Sequence, residues 1–523
     1  MKFRLGIDVG GTNTDAVILD ENDKIIAKAK RPVTDDVVSS IKCAVEDILN
    51  QSKIQPTLIT HAMLGTTQVT NAIIERRRLN KVGLIRIGAP ATQAIPPLTG
   101  WPEDLKDVVQ SATTLVKGGH EFDGRLISTL DKDGIRKFLD QYAYKISAVA
   151  VTSVFSPVNA DHEQWVYELI ARDYPHLSTS LSHEIGSIGL LERENATVLN
   201  AAVTEVARHA ASAFAQALAT LGISAELFLA QNDGTLMAMD YALRFPILTV
   251  ACGPTNSMRG AAYLSHVNDA VIIDVGGTSS DIGVIQGGFP RQSAMAVEVG
   301  GVRTNFRMPD LIALGLGGGS RIRQLPDGAV RVGPDSVGYR IIEEGLVFGG
   351  DIPTLTDVAV FEGKAHVGTQ FPNISPALSH KAYEIAIHMI EEGIDRIKTN
   401  SAPIPLIAVG GGSALLPDRL EGVSEVIRPA NYDVANAIGA AIAQVSGRVD
   451  RIYSMAGRKR EDVLAEAEAQ ARAEAVRAGA DPGSLELVEV EEIPLAYLPS
   501  NASRVRVVVA GRLGGQKSDE LDA

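Results

Sequence analysis

Two short stretches of this 523-residue chain carry the same reactive pattern. Asp8-Val-Gly-Gly-Thr-Asn-Thr-Asp15 and Asp274-Val-Gly-Gly-Thr-Ser-Ser-Asp281 agree at both aspartates, the Val, the two glycines and the first Thr. Paired glycines let backbone approach an anion closely, and the N–H groups and hydroxyls that follow donate to it. The leading Asp suits a divalent ion held through water. Gly10, Gly11, Thr12, Asn13 and Thr14 are therefore the expected anion-binding groups of the first copy. Gly276, Gly277, Thr278, Ser279 and Ser280 are those of the second. One Asp-Val-Gly-Gly alone is an ordinary hairpin turn, whereas two copies with like flanks favour the chemical reading.

Two such hairpins from opposed halves would clamp a polyphosphate, and a flat base then needs a seat. Leu406-Ile-Ala-Val-Gly-Gly-Gly-Ser413 offers one, because a buried strand ends in Gly410, Gly411, Gly412 and Ser413, too small to block a ring lying on the backbone. Gly65-Thr66-Thr67 opens an expected helix and would present hydroxyls and free N–H groups to a carbonyl, which makes Thr66, Thr67 and Asn71 substrate candidates. A plain helix cap is the competing reading there. His183, beside Glu184, and His120, in the turn Gly118-Gly-His-Glu121, are titratable groups able to reach a cleft. A structural histidine is the alternative for both. Arg76-Arg77-Arg78 reads most simply as a solvated helix end.

These groups need elements to place them. Each aspartate repeat lies between short apolar runs (Phe3 to Ile7 and Ala16 to Leu19; Ala270 to Ile273 and Ile282 to Ile285), which predicts strand, turn, strand. Dinucleotide and P-loop folds need their glycines to lead into a helix and are disfavoured. Buried strands are expected over 79–87, 148–155 and 403–409, and helices over 37–50, 161–173 and 462–478. Leu191 to Leu221 reads as one long helix. The mixture predicts an α/β fold.

Composition narrows the function classes. A formal charge of −14 argues against a grip on nucleic acid or anionic membrane by whole-body charge, so any bound anion is held locally. Two cysteines give neither a disulfide framework nor a zinc cluster, and a reducing, cytoplasmic setting is expected. Asp8 interrupts what a signal peptide would need as an apolar core, and no 18-residue apolar run occurs.

The two hairpins and the glycine loop, in this order, resemble the actin-like ATPase superfamily. Within it, Leu64 to Glu75, Ser182-His-Glu-Ile185, Glu192 to Ala201, Gln231-Asn-Asp-Gly234, Cys252-Gly-Pro254, Gly317-Gly-Gly-Ser320 and Val332-Gly-Pro334 together resemble the hydantoinase A, oxoprolinase and acetone carboxylase family, in a compact form. The resemblance implies a two-lobed, ribonuclease H-like fold: one lobe over 1–188, a second over 189–447, and a small α+β C-terminal domain over 448–523. It implies ATP and Mg²⁺ as cofactors, with Asp8 and Asp274 as catalytic and metal-binding carboxylates and Gly410 to Ser413 as the adenosine loop. The implied activity is ATP-dependent phosphorylation of a cyclic amide or imide carbonyl, as in hydantoin or oxoproline, to drive ring opening. A second subunit is implied, like hydantoinase B or an S-methyl-thiohydantoin desulfurase, in an oligomer. The chain departs from the family in its short C-terminal region and in Asp233, where Gly is frequent. A small-molecule kinase of the same fold and a nucleotide-gated binding protein remain the alternatives.

Overall fold

The computed structural model describes residues 2–33, 36–186, 188–293, 297–306, 308–495 and 501–514. Both aspartate repeats fold as hairpins. Phe3–Val9 pairs antiparallel with Asn13–Leu19, and Ala270–Val275 with Ser280–Gln286. Their apolar runs are near-continuous because both faces of each hairpin are covered, not one. The register sets Asp8 opposite Asp15 and Asp274 opposite Asp281. The two turns close alike: the Gly10 N–H donates to the Asn13 carbonyl at 3.0 Å, and that of Gly276 to Ser279 at 2.9 Å.

Each hairpin then seeds a sheet by parallel pairing. Phe3–Val9 lies beside Ile59–Thr66, which lies beside Glu226–Ala230. Ala270–Val275 lies beside Ile404–Val409, which lies beside Val423–Ile427. Among the described residues the first sheet has nine strands and the second six. A third sheet is parallel throughout, in the order Gln110–Lys117, Val82–Ala89, Ala148–Ser153, Ser178–Leu181. The α/β expectation holds.

Two helices, Cys252–Ser265 and Ala435–Ile442, lock the two large sheets together. They touch backbone to backbone: a Cβ on Gly260 would sit 1.9 Å from the Ala435 carbonyl, and one on Gly439 1.8 Å from that of Asn256. No larger residue fits either position. This close approach carries Asn256, Ser257 and Asn436 to the aspartates of both hairpins.

The sheets do not follow the sequence in blocks. The nine-stranded sheet draws on residues 3–32, 59–66, 226–238 and 445–511, so strands beyond residue 188 complete the first half. The expected boundary at 447/448 falls within Val445–Tyr453, a strand that pairs with Leu236–Ala238 on one side and Ser503–Gly511 on the other. The C-terminal α+β segment is joined to the first sheet through that pairing, with helix Arg460–Arg477 packed over Gly447.

The single helix expected over Leu191 to Leu221 is two, Leu190–Ala202 and Thr204–Thr220. Val203 marks the break: its N–H is shared between the Leu199 and Asn200 carbonyls, each at 3.2 Å. Asn200 just before it spends its amide on Ser180 and the Arg244 carbonyl, both at 3.0 Å, tethering the break to neighbouring elements. Composition does not reveal such a break, since every residue around it is a passable helix former. Among the described residues no helix is long and apolar enough to cross a membrane.

Candidate active site

In open α/β sheets, ligands bind beyond the carboxyl ends of the parallel strands. Here two such ends face one another. Phe3–Val9 and Ile59–Thr66 end at Asp8 to Gly10 and Gly65 to Thr66; Ala270–Val275 and Ile404–Val409 end at Asp274 to Gly276 and Gly410. The hairpin turns meet across the gap, where a Cβ on Gly277 would lie 3.0 Å from Thr12 Oγ1. Gly11 has open space in front of it, and Thr278 and Ser279 are exposed.

Beneath the turns lie four carboxylates. Asp8 and Asp15 are buried, and Asn436 Nδ2 bridges them at 2.9 and 2.8 Å. Asn256 Nδ2 approaches Asp8 at 3.5 Å, and Lys30 Nζ donates to both Asp15 oxygens at 2.8 and 2.9 Å. Burial, with the Asp15 charge adding to it, still pushes Asp8 up to about 7. Asp15 is raised by burial against the pull of Lys30. Asp274 and Asp281 are half-buried. Ser257 donates to Asp274, whose carboxyl is raised by desolvation. Asp281, desolvated and beside Asp274, is pushed up to about 7.

The glycines around these acids are required by contact. A Cβ on Gly65 would lie 2.2 Å from Asp8 Oδ1, and one on Gly410, whose φ is +84°, 2.1 Å from Asp274 Oδ1. The Gly410–Ser413 loop is tied to the second hairpin by Gly412 N–H to Val275 at 2.8 Å. Gly317 to Gly319 lie on the same hairpin, with Gly318 and Gly319 N–H groups donating to the Gly276 and Gly277 carbonyls at 3.0 and 2.7 Å. That contact gives a physical reason for a Gly-Gly-Gly run otherwise noticed only by resemblance.

The expected site residues divide into two sets. Both hairpin turns, the Gly410–Ser413 loop, Thr66 and Thr67 gather at the cleft. Thr66 sits opposite Val9, and the Thr67 N–H reaches the Val9 carbonyl at 3.5 Å. Thr67 occupies the N-cap position of helix Gln68–Glu75 without capping it, which leaves its hydroxyl to Asn71 Nδ2 at 3.4 Å. Cys252, at the start of its helix, donates its thiol to the Thr66 carbonyl, and burial pushes that thiol up to about 12.

The histidines make their contacts elsewhere. His120 is buried against His162, ring centroids 4.5 Å apart, beyond the ends of the four-stranded sheet; burial lowers the pKa of both. His183 Nδ1 lies 2.7 Å from Glu163 Oε2. Burial opposes the charged form of Glu163, but hydrogen bonds from His183 and Ser182 outweigh it and hold its carboxyl below the ordinary range.

Lys30, Asn256, Ser257 and Asn436 were not expected in the site. A signal existed for Asn436, a lone amide in the otherwise apolar Ala435-Asn-Ala-Ile-Gly-Ala440 helix. Lys30 carried none: Lys28 and Lys30 alternate along strand Ile25–Pro32 as any surface pair does.

The hydantoinase/oxoprolinase N-terminal region matches residues 4–174, and the hydantoinase/oxoprolinase region matches residues 193–376. The chain is 27% identical to caprolactamase subunit alpha of Pseudomonas jessenii, over 87% of this chain and 67% of that one. It is 24% identical to the acetone carboxylase beta subunit of Xanthobacter autotrophicus over 64% of this chain, and spans about half of that subunit, 51%. The crystal structure of the ATP-dependent caprolactamase from Pseudomonas jessenii superposes with a TM-score of 0.76 at 19% identity, covering 99% of this chain and 90% of that one. The fold is the two-lobed actin-like ATPase fold, and the chain belongs to the hydantoinase/oxoprolinase family.

Proposed function

We propose that the chain is the ATP-using subunit of an enzyme that opens a cyclic amide or imide by phosphorylating its carbonyl oxygen. The carrying observation is the meeting of two like hairpins across one cleft, Thr12 of one against Gly277 of the other, with carboxylates beneath and a glycine ledge beside them. The ATP dependence of the caprolactamase and of acetone carboxylation, and the naming of the relatives as subunits, support it.

The chemistry follows from the leaving group. An amide oxygen leaves poorly; once it attacks the γ-phosphorus of ATP and the bond to the β–γ bridging oxygen breaks, ADP departs and leaves an imidate phosphate with an electrophilic carbon. Water adds to that carbon, the ring C–N bond breaks as the nitrogen takes a proton, and the acyl phosphate that remains is hydrolysed to the carboxylate and phosphate. Such transfer depends on positioning and charge neutralisation. Backbone N–H groups and hydroxyls of Thr12 to Thr14 and of Thr278 and Ser279 hold the phosphates. Gly410 to Ser413 carry the adenosine. Thr66 and Thr67, at the adjoining strand end, orient the carbonyl. The imidate phosphate then passes to a partner subunit of the hydantoinase B or S-methyl-thiohydantoin desulfurase kind.

The residues fit Mg²⁺. Desolvation raises Asp274 and Asp281, the latter also through the Asp274 charge, and a cation beside them would favour their charged forms. Among the described residues no three His, Cys, Asp or Glu side chains converge to cage a metal alone, so the ion would rest on one or two carboxylates, water and phosphate. When bound, Mg²⁺ supplies neutralisation of the phosphate charge. Asp274 would orient its water, and Asp8, through the network that fixes the first hairpin, would keep the substrate side in place.

Calorimetric titration with ATP and with a non-hydrolysable analogue is expected to show one site per chain. Phosphate release is expected to rise when hydantoins, lactams or oxoproline are screened together with the partner subunit. No nucleotide binding, or accumulation of a stable phosphorylated product, ends this reading.

A further inference from the structure

A second cleft, of about 700 Å³, opens where the short helix Ser182–Ile185 of the four-stranded unit meets helices Met239–Arg244 and Arg460–Arg477 and strand Val445–Tyr453. Its volume suits a small organic molecule. Five arginines line it, and three of them are matched by carboxylates in the same wall. Arg244 pairs with Glu184, Arg477 with Glu474, and Arg506 with Asp450.

Arg448 and Arg451 are left with donors to spare. Arg448 Nη2, sealed from water, forms an ion pair with Asp233 at 3.4 Å, while the Arg448 side chain as a whole is about a quarter exposed, at 26%, and lines the cleft. Arg451 has one long bond, 3.4 Å, to Gln470. A guanidinium offers paired donors that match a carboxylate, and those of Arg448 and Arg451 that border the cleft can take one. Across the cleft stands His183. Its Nδ1 is hydrogen-bonded to the Glu163 carboxylate, which also accepts from the Ser153 N–H and the Ser182 hydroxyl, and this fixes the ring with Nε2 turned away from Glu163. Tyr241 and Phe245, rings 4.7 Å apart, supply an apolar wall.

We propose that this cleft is a second ligand site, distinct from the hairpin cleft, for a small organic carboxylate whose anionic group is held by Arg448 and Arg451. His183 Nε2 hydrogen-bonds a polar group of the bound molecule. The inference does not depend on the nucleotide reading, since none of these side chains belongs to the hairpin cleft.

The test is calorimetric titration of the full chain with glutarate, 5-aminopentanoate and inorganic phosphate, with ATP titrated in parallel. At least one of the two carboxylates is expected to bind one to one. Arg448→Gln and Arg451→Gln are each expected to weaken it by about tenfold or more, while Arg77→Gln, a distant exposed change, leaves it unaltered. ATP titration is expected to be the same in all four proteins. If Arg448→Gln lowers the thermal midpoint, Arg451→Gln, with its single long bond, carries the test alone. Carboxylate affinity unaltered in Arg451→Gln, no carboxylate binding at all, or phosphate binding as tightly as the carboxylates with the same dependence on both arginines, overturns the proposal.

Discussion

The two hairpins are alike in sequence, register and turn closure, yet their aspartates live in different surroundings. In the first, Asp8 and Asp15 are buried and spoken for: Asn436 bridges them, Asn256 approaches one and Lys30 grips the other. In the second, Asp274 has the Ser257 hydroxyl and a weaker pull from Lys30, and Asp281 has, among the described residues, only the neighbouring Asp274 charge, which raises it further. Both are half-open to the cleft. One copy is therefore a closed network that fixes the hairpin, and the other a charge-deficient pair able to receive a cation. A duplicated motif has kept its backbone and divided its electrostatics.

The largest expected effect tests that division through catalysis. Asp8→Ala and Asp274→Ala should each lower ATP-dependent phosphate release by about 10³-fold or more, the first by undoing the network that fixes its hairpin and the second by removing a charge from the side that receives the cation. The magnesium concentration for half-maximal rate should rise for an Asp274→Asn protein and stay near the wild-type value for Asp8→Asn. Equal shifts in the two asparagine variants would mean that both copies share the ion, and the contrast drawn above would fail.

Much of this arrangement was legible in the sequence. The hairpins were readable because short apolar runs on either side of Gly-Gly state their own geometry, and their opposition followed from repetition at half the chain length. The partners of the aspartates were not. Asn436 reaches Asp8 and Asp15 from more than 400 positions away along the chain, and nothing local marks a residue for a contact of that range. The break at Val203 was hidden for the converse reason: the local signal favoured helix throughout, and the tether at Asn200 comes from elements distant in sequence. That strands from 226–238 and 445–453 join the first sheet was not legible either, because composition reports texture and not pairing partners.

A second effect, smaller than the first, appears in the pH dependence of stability without nucleotide. Asp281 folds with its carboxyl near 7 against an ordinary value of 3.8. The native state then binds more protons than the unfolded state between those limits, so stability is greatest at the acid end and falls as pH rises toward 7. Asp281→Asn should flatten this fall and raise the urea midpoint at pH 8 by the equivalent of about 1–2 kcal/mol, a partial value because the group is half-open to water. At pH 4, where the wild-type carboxyl is already neutral, it should change little. Asp15→Asn should show less gain at pH 8, since it leaves Lys30 without its carboxylate. Identical pH profiles for the two variants would erase the distinction between closed and open copies.

The smallest effects separate two lysines on one strand. Lys28 pairs with Asp433 at 2.7 Å, with both side chains about a third exposed, at 36% and 35%. Lys30 donates to Asp15, which is 2% exposed, and to the Asp433 carbonyl at 2.9 Å. Both tie the first sheet to the turn before helix Ala435–Ile442, but their surroundings differ in dielectric. Lys30→Met strands a buried carboxylate with only Asn436 to satisfy it and should cost about 2 kcal/mol at pH 8, little altered by 1 M salt. Lys28→Met removes a solvated pair and should cost less than about 1 kcal/mol, a loss that 1 M salt abolishes. Urea midpoints at low and high ionic strength read both. A salt-sensitive Lys30 would show that water reaches Asp15, and the first copy would then be as open as the second.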